Sequence, residues 1–496
     1  MKRFVIGILL VLGLTNSGVA APVMHSKIGD SKTTEGKELT IKCVDQRRGF
    51  GSGDTYDPDI NSPKSATFSR DGKKVYVNSL EGCKTVVYDV ATRKKLKTIE
   101  HKFDSGEGPL WNQPSGYYTF THYPDGATRS FRGKPVEEAL TPDGRYMFVP
   151  YYRRDFDLNA QDPSALAVID TKTDEIVRMI ETGPLPKMVR VSHDGKLLAI
   201  THWGDNTVGL LDISDKNPAN WKHRQPVVIG NKLNLNYSLS RAVNRDSGSG
   251  FLLRGTVFLP GDSLLLVSGM AGPLNVIDVK SGQWIGTFPA FSNVRHLTLH
   301  NDLLYMSRNS AGEVMTVPVE NIVKAIKEGR ASGSRQFKAS GARSVKVGGG
   351  ARTLKVSPSG KYIFVACNSS SAVYIVSTED MKVIGSITAD SFPVGLDVSP
   401  DGSMVVTTSQ GVRGSGGGNA VNFFEVDYST PEPAPVIEEI ATDDEEGAAA
   451  QTGLQTDNSD EGESTSTFWI LLWSVIGAIV LAAVILLLVR RGKSNR

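Results

Sequence analysis

Residues 349–387, GGARTLKVSPSGKYIFVACNSSSAVYIVSTEDMKVIGSI, alternate apolar and polar side chains in short runs separated by turn residues. Leu354 and Val356 share one face of a first strand, and Ser357-Pro358-Ser359-Gly360 reverses the chain. The β-branched and aromatic run 362–367 predicts a second strand, 373–376 a third and 382–387 a fourth. One four-stranded sheet of this size has no core of its own, so the pattern implies repetition.

The same unit can be laid over the chain seven times, at 62–99, 134–183, 184–230, 251–291, 292–347, 349–387 and 392–428. Segments such as FSRDGKKVYVNS, LTPDGRYMFVPYY, VSHDGKLLAI and VSPDGSMVVTTS mark the first turn, and ALAVIDTKTDEIVRMI and LNVIDVKSGQWIGTF mark the outer strands. The fifth copy is degenerate. Spacing of about one blade length predicts an all-β, seven-bladed β-propeller over 62–428. The S-P-D-G-K-x-x-x-V and V-x-V-I-D-x-x-T signatures resemble the YVTN family of β-propeller repeats. That resemblance implies the fold and leaves function open, because propellers host unrelated activities.

The seventh copy stops after its third strand, leaving an open edge. An isolated alternating segment at 37–44, KELTIKCV, lies within the N-terminal stretch 21–61 and is expected to be the outer strand of the last blade, closing the ring. That position brings Cys43 near the Glu81-Gly82-Cys83 loop, where a Cys43–Cys83 disulfide is expected in an oxidising compartment; two separate buried thiols are the alternative. Cys367, in an apolar strand, reads as a core thiol. Near 319–328 the pattern is helical, with Ile322, Val323 and Ile326 on one face.

The ends add a location. Residues 1–20 combine Lys2 and Arg3, an apolar run and a small-residue cleavage site, the make-up of a signal peptide. Residues 468–489 form an uninterrupted apolar run of membrane-spanning length, with Trp469 and Trp473 at one end and Arg490, Arg491, Lys493 and Arg496 in the tail 490–496. This predicts a single-pass protein with an exported N-terminal domain and a cytoplasmic C-terminus. Ser474, Ala478 and Ala482 fall on one helix face, a spacing that allows weak dimerisation. Between them, 429–467 carries three prolines and eleven acids without Lys or Arg, the composition of a self-repelling tether. The formal net charge of the chain is +2. Setting aside two signal cations, eleven tether acids and four tail cations leaves the folded part at about +7. That favours anionic ligands and falls short of a nucleic-acid-binding balance.

Candidate chemistry follows from aligning the first residue pair of each innermost strand. The pairs are Pro63-Lys64, Pro135-Val136, Pro186-Lys187, Leu253-Arg254, Val294-Arg295, Ala351-Arg352 and Pro393-Val394. Five of the seven place a cation at one spot, expected round the mouth of the central channel, where a positive potential would capture carboxylate, phosphate or sulfate. In the second blade Glu137 and Glu138 stand instead. Loops on the same face offer Tyr151, Tyr152 and Arg153, then His202 and Trp203, then Arg308, an aromatic and guanidinium set suited to glycans, peptides or anions. His296 adjoins Arg295. Insertions at 101–133 and 231–250 are expected over the same face. No C-x-x-C, H-x-H or H-E-x-x-H occurs, so no metal or cofactor is assigned. The resulting reading is a membrane-tethered binding module for an anionic ligand, glycan or protein. The alternative is a propeller-type enzyme, lactonase-like or a quinone-cofactor dehydrogenase, using His101, His122, His202 or His296.

Overall fold

A strand covered on both faces needs apolar side chains pointing both ways, and the repeats supply them. In blade one Val75 and Val77 enter the core shared with blade seven, while Tyr76 between them enters the core shared with blade two. In this computed structural model, which describes residues 23–104, 130–234, 244–411 and 418–433 together with Leu110 and Tyr117, seven antiparallel sheets form a seven-bladed β-propeller. A hydrophobic cluster fills each of the seven junctions between successive blades.

The turn between the first two strands explains the S-x-D-G signature. Ser192 and Asp194 side chains accept the backbone N–H groups of Leu197 and Lys196, and Gly195 takes φ of 69°, which only glycine adopts freely. Ser399, Asp401 and Gly402 repeat the arrangement in blade seven.

Ring closure follows the expected route. Leu39–Arg48 pairs antiparallel with Ala420–Tyr428, and the short strand Ser31–Thr33 adds a further edge outside it. Leu39, Ile41 and Cys43 thereby enter the core between blades six and seven. After Tyr428 the chain crosses beneath blade six, where Ser359 Oγ donates to Glu432 at 2.7 Å.

Three expectations are corrected or left outside the described residues. Cys43, Cys83 and Cys367 are all free and buried, so the Cys43–Cys83 disulfide is absent. The reason is direction: Cys43 faces blade six, whereas Cys83 faces blade two, near Arg132 and Lys134. Burial pushes both thiols up to about 11, which keeps them unreactive. Helix Val319–Ala331 is present and buries Ile322 and Ile326, but Val323 is exposed. Among the described residues no helix is long and apolar enough to cross a membrane, and 1–20, 434–467 and 468–489 lie outside them.

Ile41 is fully buried in the closing strand. Ile41→Ala is expected to destabilise the propeller by about 2–5 kcal/mol in denaturant unfolding. A loss below about 0.5 kcal/mol would mean that the closing strand does not carry the ring.

Candidate functional site: a cationic mouth

Six of the seven innermost strands begin with the same irregularity. Pro63, Pro186, Leu253, Val294, Ala351 and Pro393 pair with Ser79, His202, Gly269, Arg308, Cys367 and Ser409, and the register then slips. In blade two Pro135 pairs with Tyr151 and the slip lies before it, between Gly133 and Pro135. A bulge leaves an extra residue unpaired and re-aims its side chain. Lys64, Lys187, Arg254, Arg295 and Arg352 each occupy that slip. Ser62, Leu185, Leu252, Asn293, Gly350 and Phe392 precede the paired residue with φ between 49° and 76°. Left-handed backbone at Leu185, Leu252 and Phe392 is strained and must be held by its surroundings. Leu185 is held by packing against Trp203, Tyr152 and Leu252.

Hydroxyl groups on the second strands pin these bulges. Thr201 Oγ1 accepts the N–H of Met188 at 3.1 Å and donates to the carbonyl of Arg254 in the next blade at 2.9 Å. Ser307 does the same in blade five, accepting from His296 N–H at 3.1 Å and donating to the carbonyl of Arg352. Where a glycine follows the bulge, the next blade comes closer still. A Cβ on Gly255 would sit 3.1 Å from the Arg295 carbonyl oxygen, and one on Gly395 would sit 2.6 Å from that of Lys64. Contacts between blades therefore fix where Lys64, Arg254, Arg295 and Arg352 start.

The structure brings the five cations together. Lys64, Lys187, Arg254 and Arg352 are buried, and Arg295 is half-buried. Burial, then repulsion from Arg352 and Arg254, pushes the Lys64 ammonium well below its ordinary range. Lys187 is lowered in the same way by burial and by Arg254, Arg153, Arg352 and Arg295. Burial and Arg254 lower Arg295 to about 9. Burial, Arg254 and Arg295 lower Arg352 well below the guanidinium range. The guanidinium groups of Arg254, Arg295 and Arg352 stay charged in this unfavourable field.

Counter-charge is sparse. Glu137 Oε1 lies 3.5 Å from Arg254, and Asp246 lies 3.7 Å from Lys187 and 2.8 Å from Arg153. Lys64, Arg295 and Arg352 make no side-chain hydrogen bond or ion pair among the described residues, and the Nε atoms of Arg295 and Arg352 are buried without a partner. Tyr152 and Trp203 complete one wall, 3.6 and 4.6 Å from the Lys187 ammonium, and Arg153 stacks 4.3 Å over Tyr152.

Below this ring the inner strand of blade two is broken between Phe131–Pro135 and Ala139–Leu140. The break delivers Glu137 and Glu138. Thr67 Oγ1 donates to Glu138 at 3.0 Å, while burial and then Glu137 raise Glu138 to about 8. His296 is buried with Nδ1 unpartnered among the described residues, and burial with Lys355, Arg190 and Arg254 nearby holds it neutral. Lys355 and Asp397 pair at 2.9 Å.

Three other sequence candidates lie elsewhere. Tyr151 is fully buried between blades one and two, with its hydroxyl 2.9 Å from His101 Nδ1. His202 is buried beside Thr207 Oγ1 at 2.8 Å and the Gly183 N–H at 3.1 Å. Burial lowers both His101 and His202 to about 3, so they stay neutral core groups. Arg308 folds back on Glu313 at 3.0 Å in its own hairpin. His122 lies outside the described residues. Asp246 was not singled out by sequence; its only signal was the length of the insertion that carries it. Among the described residues no group of three or more His, Cys, Asp or Glu is placed to hold a metal ion.

Thr201→Val removes both roles of the hydroxyl and should cost about 1–3 kcal/mol by denaturant unfolding, with Thr201→Ser restoring most of it. Equal stability of the three proteins would refute the bridging role. Glu138 holds its proton in the fold up to about pH 8 but in the unfolded chain only to about 4.5, so its contribution to stability is lost as pH rises between those values. Glu138→Gln should therefore gain Tm relative to the parent as pH rises from 4.5 to 8. A constant difference across that range would show that Glu138 does not titrate abnormally.

No family model matches the chain, and no curated protein matches it. Among solved structures, hydrazine synthase of Kuenenia stuttgartiensis matches with TM-score 0.50 and 14% identity, covering 77% of this chain and 100% of that one. The β-propeller domain of Cps50 (Swd1) from Myceliophteria thermophila matches with TM-score 0.48 and 12% identity, covering 73% and 96%. At 14% identity the likeness to hydrazine synthase is one of fold.

Proposed function

We propose that this chain is an exported propeller of the YVTN type, held to a membrane by residues 468–489, which captures an anionic ligand at its cationic mouth. The observation that carries the reading is that Lys64, Arg295 and Arg352 converge with no partner among the described residues. A buried cation without a counter-ion costs several kcal/mol, and seven interblade cores hold this arrangement in place. An incoming anion recovers that cost. Guanidinium groups suit planar carboxylate or tetrahedral phosphate and sulfate oxygens through paired donors. Tyr152 and Trp203 beside Lys187 supply an apolar flank for the body of a ligand, whether a small molecule, a glycan or a side chain of a partner protein.

The test uses the full chain in detergent. Millimolar sulfate should raise its Tm, and Arg254→Gln/Arg295→Gln/Arg352→Gln together should remove that rise while raising the Tm of the anion-free protein, because like charges are relieved. An undiminished response to sulfate in the triple variant would remove the mouth as the binding site.

A further inference from the structure

We infer that the ligand is a compact small-molecule polyanion carrying about three negative charges, such as a tricarboxylate or pyrophosphate. The inference rests on the anion-binding reading above. Its basis is the charge count at the mouth: Arg254 faces Glu137 at 3.5 Å, and Asp246 is shared between Arg153 at 2.8 Å and Lys187 at 3.7 Å. Lys64, Arg295 and Arg352 are left over among the described residues, one each from blades one, five and six. A single carboxylate would neutralise one of them and leave two buried like charges beside Arg254, which acts on all three electrostatically. Three anionic groups on one molecule neutralise the set.

Shape points the same way. The cations come from strands arranged in a ring, so they converge from several sides on one volume and do not line up along a groove. Their burial keeps them below the rim, where a polymer lying across the face would not reach. The left-handed residue and bulge that aim each cation are part of the backbone, so the ring is preorganised and the ligand bears little ordering cost.

Calorimetric titration of the full chain in detergent with acetate, succinate, tricarballylate and pyrophosphate tests this. One ligand should bind per chain, with affinity rising by about tenfold or more for each added charge, the gain of one charge-assisted hydrogen bond. In Arg352→Gln the step from succinate to tricarballylate should shrink to about threefold or less. Equal affinities for acetate and tricarballylate, or several anions per chain, would overturn the polyanion assignment while leaving an anion site in place. Tight binding confined to long heparin oligosaccharides would overturn it in favour of a polymer. Binding of none of these anions would remove the proposed function itself.

Discussion

The arrangement of this molecule turns on a hydrogen bond between blades. Thr201 and Ser307 each accept from the bulged strand of their own blade and donate to the carbonyl of the cation in the next. Neutral groups thus determine where charged ones stand. A side chain that repels its neighbours would swing outward if its backbone were free, and here it is not. Gly255 and Gly395 serve the same end by leaving room for the neighbouring carbonyl.

Such a ring opposes folding. Burial and mutual repulsion both disfavour Lys64, Lys187 and Arg352 in the charged form. What offsets them is spread round the whole molecule in the clusters between blades, each built from apolar residues of two adjacent sheets. Glu138, kept protonated to about 8, avoids adding a buried like charge beside Glu137. Stability is invested in the walls of the propeller and spent at its axis, a division common to sites that hold unfavourable groups ready for a ligand.

Much of the fold was legible because it is periodic. Seven offset copies of the same turn and strands reveal the blade, and an isolated alternating segment reveals the closing strand. The cationic ring was legible for the same reason, since alignment of equivalent positions needs no coordinates. What sequence concealed depends on direction. Tyr151 and Tyr152 are neighbours, yet strand alternation sends the first into the core between blades one and two and leaves the second beside Lys187. Cys43 and Cys83 were matched by height on the ring, yet Cys43 enters the core between blades six and seven while Cys83 lies in a turn near Arg132 and Lys134. Asp246 was hidden by distance along the chain, arriving from an insertion whose sequence has no repeat to compare it with.

Joining the ends of the ring in one blade also has a consequence for biogenesis. Gln46 and Asn422, hydrogen-bonded at 3.0 Å, are separated by 376 positions. The ribosome makes Leu39–Arg48 before any strand of blades one to six and its partner strand Ala420–Tyr428 after all of them. Blades one to six can assemble progressively as they emerge, but Leu39–Arg48 must wait for its blade-seven partner until almost all of the propeller has been synthesised. A truncated product would therefore display two open sheet edges, a mark by which quality control could tell unfinished chains from completed ones.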